Sequence, residues 1–484
     1  MPFFDYRGQE ARGLVADARD LMIYSYHGIE NILEPGNSEE AARQEIEAKG
    51  WTVLSPADLG IPGAEIDRNG TFQGETFQFK DAQADVLGRY DTAGNITKVG
   101  LAFRGTTGTI DEIISDTVGD VIDYLEFLTA DPNYAFGAFS GLMGAVKNLL
   151  ETNGLTAADL IVTGHSLGGG AVINMAERSD DFFGGFFTDA DYIGFASHYT
   201  PEDGASVLDS GAEIFSVDIE NDPVPSVIAN GTVHLLGNDT DYAYETSNLV
   251  LFNDFYATPA YWDGGNITNL IAWTAHLPSN YDQAFDAIAG SVFYTEMSRD
   301  SVVIVSDLSD LTRGAVWVED INPLFDPTGH QGDDAYILGS SKGDLLAGQR
   351  GNDALEGFAG DDHLKGKGGH DRLLGGAGND VIEGGDGNDI ITGGTGSDIL
   401  YGDSGADIFV FAAGAGTDEI KDFEVGVDKI DVSGAGITSF SELAITDHGW
   451  WIDVEVAYGS DTLRLDTGWM PSLPDLTAND FVFA

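Results

Sequence analysis

The sequence predicts two structural classes in one chain: an α/β domain with a mainly parallel sheet, then an all-β parallel roll. Three observations carry the prediction. Strand-like and helix-like stretches alternate through the first two thirds of the chain, the pattern of a sheet covered by helices. The stretch "DLIVTGHSLGGGAVINMAE" joins an apolar strand to a helical pattern through Gly164-His165-Ser166-Leu167-Gly168. From Gly339 a nonapeptide recurs eight times in register.

In the first part, "ARGLVADARDLMIYSY" reads as an amphipathic helix, and "NSEEAARQEIEAKG" as another, capped by Asn37 or Ser38 and ended by Gly50. "KVGLAFRG" and "DLIVTG" are short apolar runs ending at glycine, the mark of buried strands. The apolar stretch from Tyr134 to Leu150 contains Lys147 and is short for a membrane span, so it reads as a buried or interfacial helix. "TIDEIISDTVGDVIDYLEFL" is an amphipathic helix whose Asp116, Asp120 and Asp123 share one face; from spacing alone that face is a solvated acidic one. A linker-like "LFDPTGHQGDD" follows, placing the domain boundary at about residue 330. The expected domains are 1–330 and 331–484.

The repeats are GSSKGDLLA, GQRGNDALE, GFAGDDHLK, GKGGHDRLL, GGAGNDVIE, GGDGNDIIT, GGTGSDILY and GDSGADIFV. Each has glycine first, aspartate sixth and an apolar residue eighth. The aspartates are Asp344, Asp353, Asp362, Asp371, Asp380, Asp389, Asp398 and Asp407. Glycine permits the positive φ of a tight turn. The turn exposes carbonyl oxygens and the aspartate adds a carboxylate, a hard-oxygen set suited to Ca²⁺. The eighth residue points inward from a short strand. Two repeats make one coil, so eight make four coils of a parallel β-roll. Without the ion its stacked carboxylates repel, and folding is expected to depend on the metal.

Charge and composition exclude several partners. The chain has 81 acidic and 22 basic residues, a formal net charge of -59. That balance repels nucleic acid and anionic membranes, and suits divalent cations or a saline medium. Only 13 of the acidic residues lie in residues 339–410, so acidity is chain-wide. There is no cysteine, hence no disulfide and no thiolate metal site. The N-terminal "MPFFDYRGQEARG" has charges where a signal peptide would have its apolar run.

The strand–G-x-S-x-G–helix context points to a nucleophile elbow. There the turn lifts the Ser166 hydroxyl above the sheet, and the helix N-terminus faces any developing oxyanion. A base and an orienting acid should follow in the order Ser, Asp, His. "AEIFSVDIENDPVPSV" supplies a strand and then Asp222 in a loop flanked by proline; Asp218 and Glu220 lie closer to the strand. His234 and His276 then remain as bases. His234 lies in a strand-like run typical of a half-buried histidine, which favours His276 in "WTAHLPSNY". The backbone N–H groups of Thr106, in "LAFRGTTG", and Leu167 are the oxyanion donors by this reading.

"YSYH", "AFRGT", "GHSLGG", "NDPV" and "HLPSNY", in this order and followed by the nonapeptides, resemble the repeat-bearing bacterial lipases of subfamily I.3 over nearly the whole chain. The resemblance implies an α/β-hydrolase catalytic domain with an RTX calcium-binding β-roll behind it. It implies a triacylglycerol lipase or esterase with Ser166, Asp222 and His276 as triad. It also implies a lipid or ester substrate at an interface, a monomer, and secretion to the extracellular medium by a type I exporter that reads the uncleaved C-terminus. "GTDEIKDFEVGVDKIDVSG" and the terminal "DFVFA" are similar to the corresponding segments of such proteins. A second calcium site near a lid helix at about 109–130 is implied too, with Asp81, Gln83, Thr107, Asp116 and Asp120 at the matching positions. One departure stands out: the interval Gly28 to Lys49 is short and polar where the family carries a long apolar lid. Reduced interfacial activation follows, with room for a phospholipase or polyesterase of the same fold. A reading of another class is a calcium-dependent adhesion or matrix protein with an inert hydrolase domain.

Overall fold

The computed structural model describes residues 3–27, 39–67, 70–75, 82–104, 134–197, 208, 210–217, 228–229, 232–233, 249–253, 278–298, 301–310, 312–319, 332–447, 454–465 and 476–484. The chain divides into two compact units. One comprises Met1–Ser247, Asp263–Phe285 and Ser298–Asp300; the other comprises Asn248–Trp262, Asp286–Met297 and Ser301–Ala484.

The first unit is built on a mixed sheet whose strand order follows the sequence. Trp51–Val53, Gln83–Tyr90 and Ile96–Phe103 are antiparallel neighbours. Ile96–Phe103, Leu160–His165, Asp191–Phe195 and Ile214–Val217 are then parallel. Every residue of Leu160–His165 is buried, as its apolar start Leu160-Ile161-Val162 suits a central strand. Helix Arg12–Tyr24 buries Val15, Ala18, Leu21, Met22 and Tyr24 and packs on strands Ile96–Phe103 and Leu160–His165. It comes so close that a Cβ at Gly100 would meet Leu21 Cδ1 at 2.5 Å. The predicted helix after residue 37 forms as Glu39–Ala48, and Gly50 takes φ 88° just beyond it; its capping residues lie outside the described ones. The apolar stretch from Tyr134 forms two helices, Tyr134–Ala138 and Ser140–Thr152, whose Phe136, Leu142, Met143, Val146 and Leu150 join the core. Among the described residues no helix is long and apolar enough to cross a membrane.

The second unit is a parallel β-roll. One face is a nine-stranded parallel sheet: Leu249–Asn253, Val302–Asp307, Ala335–Ser340, Ala354–Phe358, Arg372–Ala377, Ile390–Thr395, Ile408–Val410, Lys429–Asp431 and Phe481–Val482. The other runs Leu345–Ala347, His363–Gly368, Val381–Asp386, Ile399–Ser404, Thr417–Ile420 and Asp461–Leu465, closed by the antiparallel Val454–Tyr458 and Ala444–Asp447. Within the repeats each residue faces the one 18 positions later: Leu346, Leu364, Ile382 and Leu400 stack in one sheet, and Leu355, Leu373, Ile391 and Phe409 in the other. Two nonapeptides per coil is therefore the observed geometry. All eight of these side chains are buried.

This partition differs from a single cut near residue 330. Leu249–Asn253 pairs in parallel with Val302–Asp307, which pairs in parallel with Ala335–Ser340, so both belong to the roll unit. Their apolar, β-branched sequences suit any buried parallel sheet, which is why composition alone assigns them to the α/β domain.

Candidate active site and calcium roll

The four parallel strands of the first unit end in register, with Phe103 beside Gly164, His165 beside Phe195, and Phe195 beside Val217. Their carboxyl ends thus lie along one edge of the sheet, where parallel α/β sheets place their ligands. Ser166 stands there with φ 59° and ψ −124°, a conformation costly for a side-chain-bearing residue, and directly precedes helix Leu167–Glu177. Its N–H donates to Phe195 O at 3.1 Å, and its carbonyl accepts from Gly170 N–H at 3.1 Å. The flanking glycines are required by close approach. A Cβ on Gly164 would fall 2.5 Å from the Gly168 backbone, and one on Gly168 would fall 2.2 Å from Phe103 O.

His165 is clamped beside the serine. The Tyr26 hydroxyl lies 3.0 Å from His165 Nδ1 and donates to its carbonyl at 3.3 Å. Tyr281, on helix Pro278–Gly290, sets its ring edge-on to His165 with centroids 5.4 Å apart. That helix begins two residues after His276. His276, Asp222 and Thr106 lie outside the described residues; Leu167 is the first residue of the helix, where its N–H belongs to the positive end of the dipole. Val217 is the last residue described before Asp222. Of the lid-calcium set only Gln83 is described, and its Oε1 accepts from Arg104 Nη1 at 3.2 Å. Asp81, Thr107, Asp116, Asp120 and the lid helix are outside.

Arg104, buried at the end of strand Ile96–Phe103, is a residue sequence reasoning missed. Its guanidinium donates to Ser25 O, to His27 O at 3.3 Å and to Thr71 Oγ1 at 3.1 Å. Asp67 and Asp85 lie 3.9 Å and 3.8 Å away. His27 Nε2 lies 3.1 Å from Thr71 Oγ1 and 3.5 Å from Asp85 Oδ1. The network anchors the chain two residues before Thr106. Its signal was present: Arg104 is the arginine of "AFRGT" and His27 ends "YSYH".

In the roll, the sixth-position aspartates form two ladders. Each backbone N–H donates to Oδ1 of the aspartate one coil on, from Asp344 to Asp362 at 2.6 Å through Asp380 to Asp398 at 2.9 Å, and from Asp353 to Asp371 at 2.7 Å through Asp389 to Asp407 at 2.9 Å. The fifth position adds a ladder of its own, as in Asn379 N–H to Asp361 Oδ1 at 2.8 Å and Ser397 N–H to Asn379 Oδ1 at 3.0 Å. First-position glycine is sterically fixed, since a Cβ at Gly366 or Gly375 would lie 2.3 Å from the Oδ2 of Asp371 or Asp380.

These residues fit calcium. The Oδ2 atoms of Asp362, Asp371, Asp380, Asp389 and Asp398, and of Asp418 one rung further, are buried with no hydrogen-bond partner. Burial lifts Asp362 to about 8, Asp371 and Asp407 to about 7 and Asp380 to about 6. Groups so desolvated call for a cation. Among the described residues no three His, Asp or Glu side chains converge on one point. From the third repeat on, each turn instead presents one carboxylate among backbone carbonyls, an all-oxygen set suited to a hard divalent ion.

A strained serine on a strand-to-helix turn, followed along the chain by a roll of stacked aspartates, defines an α/β-hydrolase joined to an RTX calcium-binding domain. The RTX calcium-binding nonapeptide repeat matches residues 338–373, 374–409 and 383–420. Two proteins of Pseudomonas fluorescens, both named lipase, are similar: one is 36% identical over 70% of this chain and 79% of its own length, the other 33% identical over 70% and 83%. The crystal structure of extracellular lipase LipA from Serratia marcescens covers 100% of both chains with a TM-score of 0.71 at 27% identity. The chain belongs to the RTX-repeat bacterial lipases, subfamily I.3, and calcium is its cofactor.

Proposed function

We propose that this lipolytic enzyme is a secreted serine carboxylic ester hydrolase acting on triacylglycerols and related esters. Ser166 Oγ attacks the ester carbonyl while His276 accepts its proton. The Leu167 and Thr106 N–H groups receive the oxyanion. His276 then protonates the departing alcohol, and Asp222 orients the imidazole and stabilises its charged form. Water, deprotonated by His276, cleaves the acyl-enzyme and restores Ser166. The observation that carries this reading is the backbone of Ser166, held at φ 59° at the sheet edge directly ahead of a helix N-terminus. Export by a type I system and binding at a lipid–water interface complete the proposal.

Ser166→Ala is expected to abolish hydrolysis of p-nitrophenyl esters and emulsified triglyceride, with the thermal unfolding transition retained. Turnover in that variant above the uncatalysed rate would remove Ser166 from the mechanism. A panel from short esters to triglycerides and phospholipids, with calcium and with chelator, identifies the preferred substrate.

A further inference from the structure

The eight turns of the roll are of two kinds. In the third to eighth repeats the second residue is left-handed: Phe358, Lys367, Gly376, Gly385, Gly394 and Asp403 have φ of 66°, 72°, 110°, 108°, 112° and 59°. Three of these are not glycine, so a conformation unfavourable to their side chains is adopted repeatedly. The corresponding residues of the first two repeats, Ser340 and Gln349, are not left-handed. Their N–H groups turn inward instead and donate to the Oδ2 of their own aspartates, Asp344 and Asp353, at 2.8 Å each. From Asp362 to Asp398 that same oxygen is buried without a partner. An inward N–H occupies the oxygen a cation needs and puts a donor where a carbonyl is required.

The first turn also carries a cation of its own. Arg313 contacts Asp344 Oδ1 through Nη1, and the same nitrogen donates to Ser340 Oγ at 2.7 Å. Nη2 donates to Leu308 O. Ser306 Oγ adds a bond to Asp344 Oδ1 at 2.9 Å, and Ser340 Oγ one to Oδ2 at 2.8 Å. Asp344 therefore has four protein donors. A guanidinium stays charged at every physiological pH and offers a planar set of donors. The sequence departs in the same place: the fourth position is Lys342 in the first repeat and glycine in the other seven.

We propose that the roll begins with a metal-independent end, in which Arg313 stands in for a calcium ion on Asp344, and that calcium ligation starts only at the third repeat. Asp344 and Asp353 fasten their own turns, and the turns from Gly357 onward take the metal. The roll then grows on a preformed end continuous with strand Val302–Asp307, each calcium-filled turn templating the next.

The test uses the full-length chain and calcium alone. Calcium bound per chain is counted by native mass spectrometry and equilibrium dialysis for the parent and for Asp344→Asn, Asp353→Asn and Asp380→Asn. The first two are expected to match the parent, and Asp380→Asn to bind at least one ion fewer. Loss of an ion in Asp344→Asn or Asp353→Asn would overturn the proposal. Should Asp344→Asn fail to fold, hydrogen exchange decides. In chelator, the amides of Ser340 and Gln349, which donate to their own aspartates, should be protected in the parent while those of 358–411 exchange. Arg313→Met should lower protection of the Ser340 amide by tenfold or more, Arg313→Lys by less, with the ion count unchanged in both. Protection of the Ser340 and Gln349 amides that appears only with calcium, at the same midpoint as the later repeats, would also overturn it.

Discussion

At the scale of single residues, steric close approach explains more of the site than chemistry does. Gly168 meets Phe103 O so closely that one methyl group has nowhere to go. Gly168→Ala is therefore expected to lower stability by about 3 kcal/mol and to reduce esterase activity by displacing the start of helix Leu167–Glu177; thermal melting and p-nitrophenyl ester turnover measure both. Tyr26→Phe makes a contrasting case. It removes the hydroxyl on His165 while leaving the ring edge-on to the imidazole, 5.7 Å away. The expected loss is about 1 kcal/mol, with kcat falling more than KM changes, because the contact sets the geometry of the residue before Ser166 and touches no substrate. An unchanged kcat would mean that Tyr281 alone holds His165.

At the scale of elements, the two units are stabilised by different means. The α/β sheet is covered by helices whose apolar stripes pack on it, and the few polar residues its strands bury, such as Asp85 and His165, lie toward the edge where Ser166 stands. A roll strand buries one residue in two and relies on exact repetition of that residue along the stack. Ile382 is buried in the stack whereas Ile390 is 40% exposed, although both are isoleucines of adjacent repeats. Ile382→Ala should cost about 2–5 kcal/mol, and Ile390→Ala under about 0.5 kcal/mol. Calcium-dependent melting of the two variants reads the difference, and equal costs would contradict the register described here. The strands at "KVGLAFRG" and "DLIVTG" and those of the nonapeptides were legible in the sequence, from apolar runs ending in glycine and a strict nine-residue period. Membership was not: Val302–Asp307 is an apolar run like Leu160–His165, and only its pairing with Ala335–Ser340 assigns it to the roll.

At the scale of the whole molecule, stability should respond to calcium and pH in opposite ways. The sixth-position carboxylates from Asp353 to Asp407 are raised by burial, Asp362 to about 8 and Asp371 to about 7. In chelator and at acid pH both the folded and the unfolded chain hold these protons, and no penalty arises. As pH rises from about 4 the unfolded chain releases protons that the folded roll retains, so the metal-free roll loses stability up to about pH 8. Calcium, which binds the ionised form, reverses the trend. Far-ultraviolet circular dichroism in chelator should show more roll strand at pH 5 than at pH 8, and millimolar calcium should restore it at pH 8. A metal-free strand signal that grows with pH would run against this. With a net charge of -59, salt should also stabilise both states of the chain, by screening rather than by filling sites.

The sequence by itself determined the nonapeptide roll, the calcium it takes and the serine at the strand-to-helix turn. Those features are local: a period of nine, an aspartate among glycines, and G-x-S-x-G each act within a few residues of chain. Tertiary structure decided what depends on distant partners. It drew two strands from before the linker into the roll, buried Arg104 among Ser25, His27, Thr71 and Gln83, and brought Arg313 onto Asp344. A repeat motif shows which oxygens a turn offers. Only packing shows whether an N–H, a guanidinium or nothing at all already occupies them, since the donor comes from a segment that the period does not contain.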